Sequence, residues 1–376
     1  MIATRGVATI QAGTLNWSVF GEANLMESLC KFGARRSKRR GFVFLSTVLG
    51  KHYPTLPSHV VKCQMDLAAL LPEENGILFL GLAETAIGLG QGVFEAYLKA
   101  YPRSKAVFAH TTRHRLGDVP WYSSKEPHSH APDHFGYTLT KDSQIAASKA
   151  KTLVLVDDEI STGTTLLSLA ESLKSCLPSV EKVVFACLTD WSGRLGRGRM
   201  QSLGYTVVSL CHGSYSFDPN PFFDPTSPPD AQGNSACMDG RVLIGHGRLG
   251  CIGPVRIAPP LPTILGIPKG TRILVLGTGE FMHAPLRLAY EWELCGYDVQ
   301  FQSTSRSPLA TGDGIVSARS VCDHYGDGVP YYLYNHVLAN AGWIVACHET
   351  PDVPVIDSPG CPVTCLRMGD DGSCVM

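Results

Sequence analysis

Residues 153–165 read LVLVDDEISTGTT, and this stretch decides the fold. Four apolar residues in a row suit a strand buried on both faces, as in a parallel sheet. Two adjacent acids, Asp157 and Asp158, follow at its carboxyl end. Ser161, Thr162, Gly163, Thr164 and Thr165 then form a turn that opens a segment of helical apolar spacing over 165–176. Such a turn presents backbone N–H groups at a helix N-terminus, where the dipole favours an anion. Gly163 permits close backbone approach, and the hydroxyls add donors. Adjacent carboxylates accept hydrogen bonds from both hydroxyls of a vicinal diol. A lone Thr-Gly-Thr is an ordinary helix start. Strand, acid pair and turn in this order read as a sugar-phosphate site.

The surroundings agree. Residues 42–49 (FVFLSTVL), 77–80 (ILFL), 106–109, 183–188 and 205–210 read as strands, and VFEAYLKA at 93–100 reads as helix. Short apolar strands alternating with helices indicate an α/β domain with a mostly parallel sheet. Residues 218–229 (DPNPFFDPTSPP) hold five prolines in twelve positions, a density that no regular element survives. A second α/β pattern follows: a strand at 271–276, the turn GTGEFMHAP, a helix at 286–295 and a strand at 298–302. The expected organisation is a domain at 1–217, a Pro/Gly-rich linker at 218–262 and a smaller α/β domain at 263–376.

The halves look related. One reads LGLAE, helix, strand, HTTR; the other LGTGE, helix, strand, STSR. Glu84 stands three residues after Gly81, as Glu280 does after Gly277. Arg113 and Arg306 each close a hydroxyl-x-Arg string after the next strand. Any two strand–helix–strand units with polar loops share some of this, so the alternatives are chance likeness and internal duplication.

Composition bounds the partners. The 376 residues carry 32 basic and 33 acidic side chains, net −1, so overall charge offers nothing for nucleic acid or a membrane surface. Charged residues are only 17% and hydrophobic ones 44%, which argues against disorder. No apolar run approaches the ~18 residues of a membrane span, and no signal peptide is evident. The thirteen cysteines are scattered and odd in number, which reads as reduced thiols in a cytoplasmic protein. The basic run 31–40 (KFGARRSKRR) suits an anionic-phosphate entry edge, a solvated face or a nucleic-acid patch.

The 157–165 segment resembles the phosphoribosyl-pyrophosphate (PRPP) signature of type I phosphoribosyltransferases. That likeness implies ribose hydroxyls on Asp157 and Asp158, and the 5′-phosphate on Ser161, Thr162, Gly163, Thr164 and Thr165. It also implies Mg²⁺ bridging pyrophosphate and ribose hydroxyls beside Asp157 and Asp158. Glu159 stands where the family commonly has an apolar residue, and it is either functional at the ring or simply exposed. GLAETAIG at 81–88 falls where the family has its pyrophosphate loop, giving Gly81, Ala83, Glu84 and Thr85. Residues 111–136 fall where it has a loop that closes over PRPP; they include Arg113, Arg115, Lys125, Glu126, His128, His130 and His134. Arginines suit pyrophosphate, while the Glu-Pro-His-x-His cluster suits Mg²⁺, proton shuttling, a transition metal or a bare surface loop. Lys51, after the 42–49 run, is the remaining catalytic cation expected, although Thr47 stands where a lysine belongs.

Taken together, ARRSKRRGFVFLSTVLGKH, LGLAETAIGLG, FAHTTRH, EPHSHA and LVDDEISTGTT resemble the branch associated with tellurium-resistance operons. LGTGEFMHAPLRLA and FQSTSRSPL resemble the TRSP domain that follows it. Thr304, Ser305, Arg306 and Ser307 form an expected second-domain anion site, with Glu280 and His283 on the neighbouring loop; the alternative is a purely packing domain. The resemblance implies phosphoribosyl transfer between PRPP and a base-like acceptor, in synthesis or salvage of a nucleoside-like metabolite beside operon-encoded partner enzymes. Type I relatives are often dimers, so a homodimer is the expectation by analogy. The competing reading is a non-catalytic PRPP or nucleotide sensor.

Overall fold

The computed structural model describes residues 3–20, 23–37, 40–117, 122–125, 133–224, 242–243, 245–258, 260–326, 328–358 and 360–375. Its first half is a seven-stranded sheet. From one edge the order is Ala3–Ile10, Gly13–Phe20, Thr206–Pro219, Lys182–Asp190, Thr152–Ile160, Gly76–Gly81 and Lys105–His110. The last five run parallel, and the N-terminal hairpin joins them antiparallel through residues 212–219. The sequence reading left that hairpin without structure, because its alternation is masked by small residues. Gly6, for instance, lies against the Trp17 ring, where a Cβ would fall 2.2 Å from Cζ2.

The apolar runs are buried on both faces. Phe79, Phe108 and Val154 face one core with Phe94 and Val93, while Leu78, Leu80, Leu153 and Leu155 face another with Phe185 and Leu169. Burying each such side chain contributes roughly 1.5–3 kcal/mol, which is why the runs read as continuous rather than alternating. The expected strand at 42–49 is shorter, Phe42–Ser46, and leaves the main sheet to pair with Cys30–Ala34. This hairpin arches over the strand ends: Phe44 stacks on Trp191 at 5.0 Å.

The second half forms a sheet of Val299–Ser303, Ile273–Gly277, Trp343–His348, Val363–Met368 and Cys374–Val375 in that order; all but the last run parallel. The halves are joined by a helix-on-helix seam. Val60 and Ile87, from the helices Pro57–Ala69 and Ile87–Ala100, share one core with Met282, Leu286 and Ala289 around the helix His283–Leu294. Glu293 accepts from the Ser58 N–H and hydroxyl at 2.7 and 2.8 Å. Thr55 pairs through both backbone groups with Phe301 at the edge of the second sheet. Residues 245–258 also bridge the halves: Cys251 pairs with Phe108 of the first, Gly245 N–H donates to Asp370 of the second, and Arg248 is buried on Glu280 and Glu349.

The suspected repeat is matched in connectivity. Gly76–Gly81, helix, Lys105–His110 and Ile273–Gly277, helix, Val299–Ser303 are both parallel right-neighbour units. The same hydrogen bonds close both ends. Thr111 N–H donates to Gly81 O at 3.0 Å, and Thr304 N–H donates to Gly277 O at 3.1 Å. Ala83 N–H donates to the Thr111 hydroxyl at 2.9 Å, and Gly279 N–H to the Thr304 hydroxyl at 2.8 Å.

Candidate active site

A cleft of about 180 Å³ opens at the carboxyl ends of the first sheet's strands, the usual place for ligands in such sheets. Its floor is the strand end that opened the sequence reading. Asp157 and Asp158 are half-buried there, and Thr85 Oγ1 donates to Asp158 Oδ1 at 2.8 Å. The turn Ser161–Thr165 forms one end. Gly163 caps the helix Thr164–Lys174 with φ +77°, and a Cβ there would meet Met200 Sδ at 2.7 Å, so glycine is required twice over. The first helical turn has no intrahelical acceptors for its N–H groups, which suits a phosphate.

Leu82, Ala83, Glu84 and Thr85 form the facing wall. Glu84 is buried. Burial alone would push its carboxyl up, but Lys51 and Arg306 hold it below the usual range. Its oxygens lie 2.8 Å from Lys51 Nζ and 3.4 Å from Arg306 Nε. Gly81 lies behind this wall in its strand, packed under Ala86 O and Phe108.

Arg113 lines the cleft, its Nη2 donating to Ala83 O at 3.2 Å. Two expectations for cations change. Lys51 does not face the cleft: it is fully buried, and its ammonium donates to Glu84, Gly279 O at 2.6 Å and Thr304 O at 2.9 Å. The reason is that the strand ends at Ser46 and the chain dives into the seam, where Gly50 O accepts from Ser303 N–H at 2.7 Å. Arg115 is exposed and lies over the Phe135 ring at 5.3 Å, away from the cleft. Glu126, His128 and His130 lie outside the described residues, as do the side chains of Lys125 and His134.

The second-domain string is not a separate site. Ser305, Arg306 and Ser307 line this same cleft. Thr304 does not: it is buried as the hydroxyl acceptor for Gly279 N–H. His283 is also elsewhere, with Nε2 on Glu95 Oε1 at 2.9 Å in the helix seam. Glu280 is buried under the cleft wall. Burial would raise its carboxyl, but the Arg248 and Arg306 guanidiniums hold it well below the usual carboxylate range, with the buried His114 ring 4.0 Å away. It accepts from the Thr112 hydroxyl and the Arg113 N–H, both at 2.6 Å.

Lining residues outside the expected site include four of chemical interest. Arg35, Arg40 and Phe44 come from the hairpin over the cleft, so two guanidiniums of the basic run 31–40 face it. His52 lines it too; burial, then the neighbouring Lys51, push its imidazole down to about 4, so it is neutral at pH 7. The Gly-Lys-His string at 50–52 is the sequence signal for it. Glu159, left open before, is 18% exposed and faces the cleft, with Arg40 Nη2 at 3.1 Å. Burial is the main force raising its carboxyl to about 8; Asp158 adds to it and Arg40 opposes it.

A parallel sheet with a helix-capped phosphate turn and a strand-end acid pair defines a sugar-phosphate transferase class of site. Residues 29–213 match the family described as phosphoribosyl transferase, and residues 257–355 match the TRSP domain C-terminal to that transferase. The chain belongs to this phosphoribosyltransferase family with its TRSP domain, and the reaction that names the family is phosphoribosyl transfer. No curated protein matches it. Among solved structures it is similar to the adenine phosphoribosyltransferase of Thermoanaerobacter pseudethanolicus: 17% identity, 50% of this chain and 98% of that one, TM-score 0.33. The Giardia lamblia enzyme complexed with 9-deazaadenine gives 13%, 49%, 93% and 0.34. The Trypanosoma brucei enzyme, in complex with AMP, pyrophosphate and ribose-5-phosphate, gives 12%, 56%, 86% and 0.33.

Proposed function

We propose that PRPP binds with its 5′-phosphate on Ser161–Thr165, its ribose hydroxyls on Asp157 and Asp158, and its pyrophosphate toward Ala83–Thr85 and Arg113. The observation that carries this is the convergence of turn, acid pair and loop on one cleft, with guanidinium groups on its other walls. Arg113 stabilises charge as it develops on the departing pyrophosphate, and positioned charge is often the largest catalytic contribution. The acceptor lies at the hairpin end, between Phe44 and Glu159. There the protonated Glu159 carboxyl donates a hydrogen bond to a ring nitrogen or carbonyl. The product is a nucleotide-like metabolite.

Mg²⁺ fits this donor set. No group of three or more acidic, histidine or cysteine side chains is placed to hold a metal among the described residues. Two carboxylates plus substrate oxygens are the usual magnesium arrangement. Asp157 and Asp158 would hold the ion through the ribose hydroxyls, and when bound it neutralises pyrophosphate charge. No helix among the described residues is long and apolar enough to cross a membrane.

The test is pyrophosphate release from PRPP across a panel of purine, pyrimidine and other nitrogen-heterocycle acceptors. Release with at least one acceptor is expected. PRPP binding by calorimetry without release on the whole panel would make the protein a sensor instead.

A further inference from the structure

The cation expected on the pyrophosphate side, Lys51, is locked in the seam by Glu84 and two carbonyls. That leaves Arg113 as the first domain's cation on this side of the cleft. Building on the PRPP reading, we infer that the second domain supplies another: Arg306, with Ser305 and Ser307, clamps the pyrophosphate, and His52 completes the clamp from the first domain.

The geometry is that of a built wall. Ser305 is fixed by a reciprocal backbone pair with Tyr332 at 2.9 and 2.8 Å. The Tyr334 hydroxyl donates to Ser307 O at 2.6 Å, and Ser307 N–H to Ser305 Oγ at 3.2 Å. The Arg306 guanidinium lies over the Tyr331 ring at 5.5 Å and beside Glu84. His52 is 3% exposed, lines the same cleft and has no partner for Nδ1 among the described residues. A buried polar atom of that kind at a cleft wall points to a ligand.

The repeat explains how a second domain reaches a first-domain ligand. The two units are crossed. Glu84 of the first pairs with Arg306 of the second, and Glu280 of the second holds Thr112 and the Arg113 N–H of the first. Lys51 and Arg306 flank Glu84, Arg248 holds Glu280 and Glu349 behind the wall, and Arg113 and Arg306 reach the cleft.

The experiment is calorimetry on the full chain with pyrophosphate, PRPP and ribose 5-phosphate, each with Mg²⁺. Arg306→Gln should weaken pyrophosphate and PRPP about tenfold or more, as expected for a lost charge-assisted contact, and move ribose 5-phosphate less than about twofold. Arg306→Lys should recover part of the loss. An equal change in all three ligands, or none, in a variant with unchanged melting temperature overturns the clamp. Should Arg306→Gln fail to fold, the Ser305→Ala/Ser307→Ala double variant decides. A loss confined to the pyrophosphate-bearing ligands is expected, and unchanged pyrophosphate binding overturns it. Wild-type protein that binds none of the three ligands sinks the PRPP reading itself and the clamp with it.

Discussion

The two strand-end units share their backbone and differ in what they do with their acids. Val156 lies opposite Gly81, and Ala346 lies opposite Leu276. Asp158 and Glu349 therefore hold one register position, two residues beyond the partner of the strand-ending glycine. In the first unit the acid is half-buried and followed by Ser-Thr-Gly-Thr-Thr. In the second it is followed by Thr350 and Pro351 and is sealed. Arg248 reaches Glu349 at 3.0 Å, the Tyr325 hydroxyl donates to it at 3.1 Å, and Leu243 N–H at 2.7 Å. A strand-end acid becomes a ligand site only where a helix-opening turn leaves it facing a cleft. Without the turn it is absorbed as a structural ion pair.

The largest effect should come from testing that difference at the open unit. Asp157→Asn/Asp158→Asn should lower kcat/KM for PRPP at least ~10³-fold, about 4 kcal/mol of transition-state stabilisation. Its melting temperature should hardly move, because both side chains are only half-buried and an amide oxygen still accepts from Thr85 and from the backbone N–H of residue 158. Steady-state kinetics beside calorimetric melting checks both halves. A near-wild-type rate would place the sugar elsewhere.

The sealed unit should respond the other way. Glu280→Gln leaves Arg248 and Arg306 short of a buried carboxylate, a change that typically costs ~3–5 kcal/mol. The pH dependence follows from the shifts. Glu280 is depressed in the fold, so its contribution is present above the ordinary carboxylate range and is lost as pH falls below it. His110, pushed down to about 4, and His114, pushed down to about 3, are held neutral mainly by burial. The unfolded chain takes up their protons below pH ~6.5, so they too remove stability on acidification, from about 6.5 down to their folded values. Denaturant titrations should show wild-type stability falling from pH 6.5 downward, with the gap to Glu280→Gln closing below ~4.5. A constant gap down to pH 3 would contradict the ion-pair account.

The contrast also marks what sequence could carry. The first sheet was legible because its strands are unbroken apolar runs, and the site because acids and turn are contiguous at 157–165. The repeat was legible as Gly-x-x-Glu with hydroxyl-x-Arg. What stayed hidden depends on contacts distant in sequence. Nothing near Lys51 announces that Gly279 O and Thr304 O, more than two hundred residues on, will consume its protons. Nothing near Ser305 says that it completes a cleft begun at residue 35. The N-terminal hairpin was missed because sheet addition at an edge requires no long apolar run. Arg248 was missed because it sits in a segment without helix or strand.

The smallest predicted effect concerns the next position along, where the open unit has Glu159 and the sealed unit has Thr350. Thr350 closes its own turn, with Oγ1 on Asp352 O at 2.7 Å. Glu159 instead faces the cleft with its carboxyl raised to about 8. The fold thus keeps it protonated while the unfolded chain ionises it from about 4.5. Folding is therefore penalised progressively as pH rises between those values, and the penalty is constant above. Glu159→Gln removes the ionisation and keeps an N–H donor of the same shape. Melting curves of the two proteins should coincide below pH ~4.5 and diverge toward pH 8, where the variant should be more stable by on the order of 2 kcal/mol. Activity gives an independent reading. If the neutral carboxyl donates to the acceptor ring, the wild-type rate should fall above pH ~8 while the variant, slower at neutral pH, keeps a flat alkaline limb. Parallel melting profiles from pH 5 to 8, with the same alkaline limb in both proteins, would assign Glu159 to holding Arg40 alone and return this position to the structural role it has in the sealed unit.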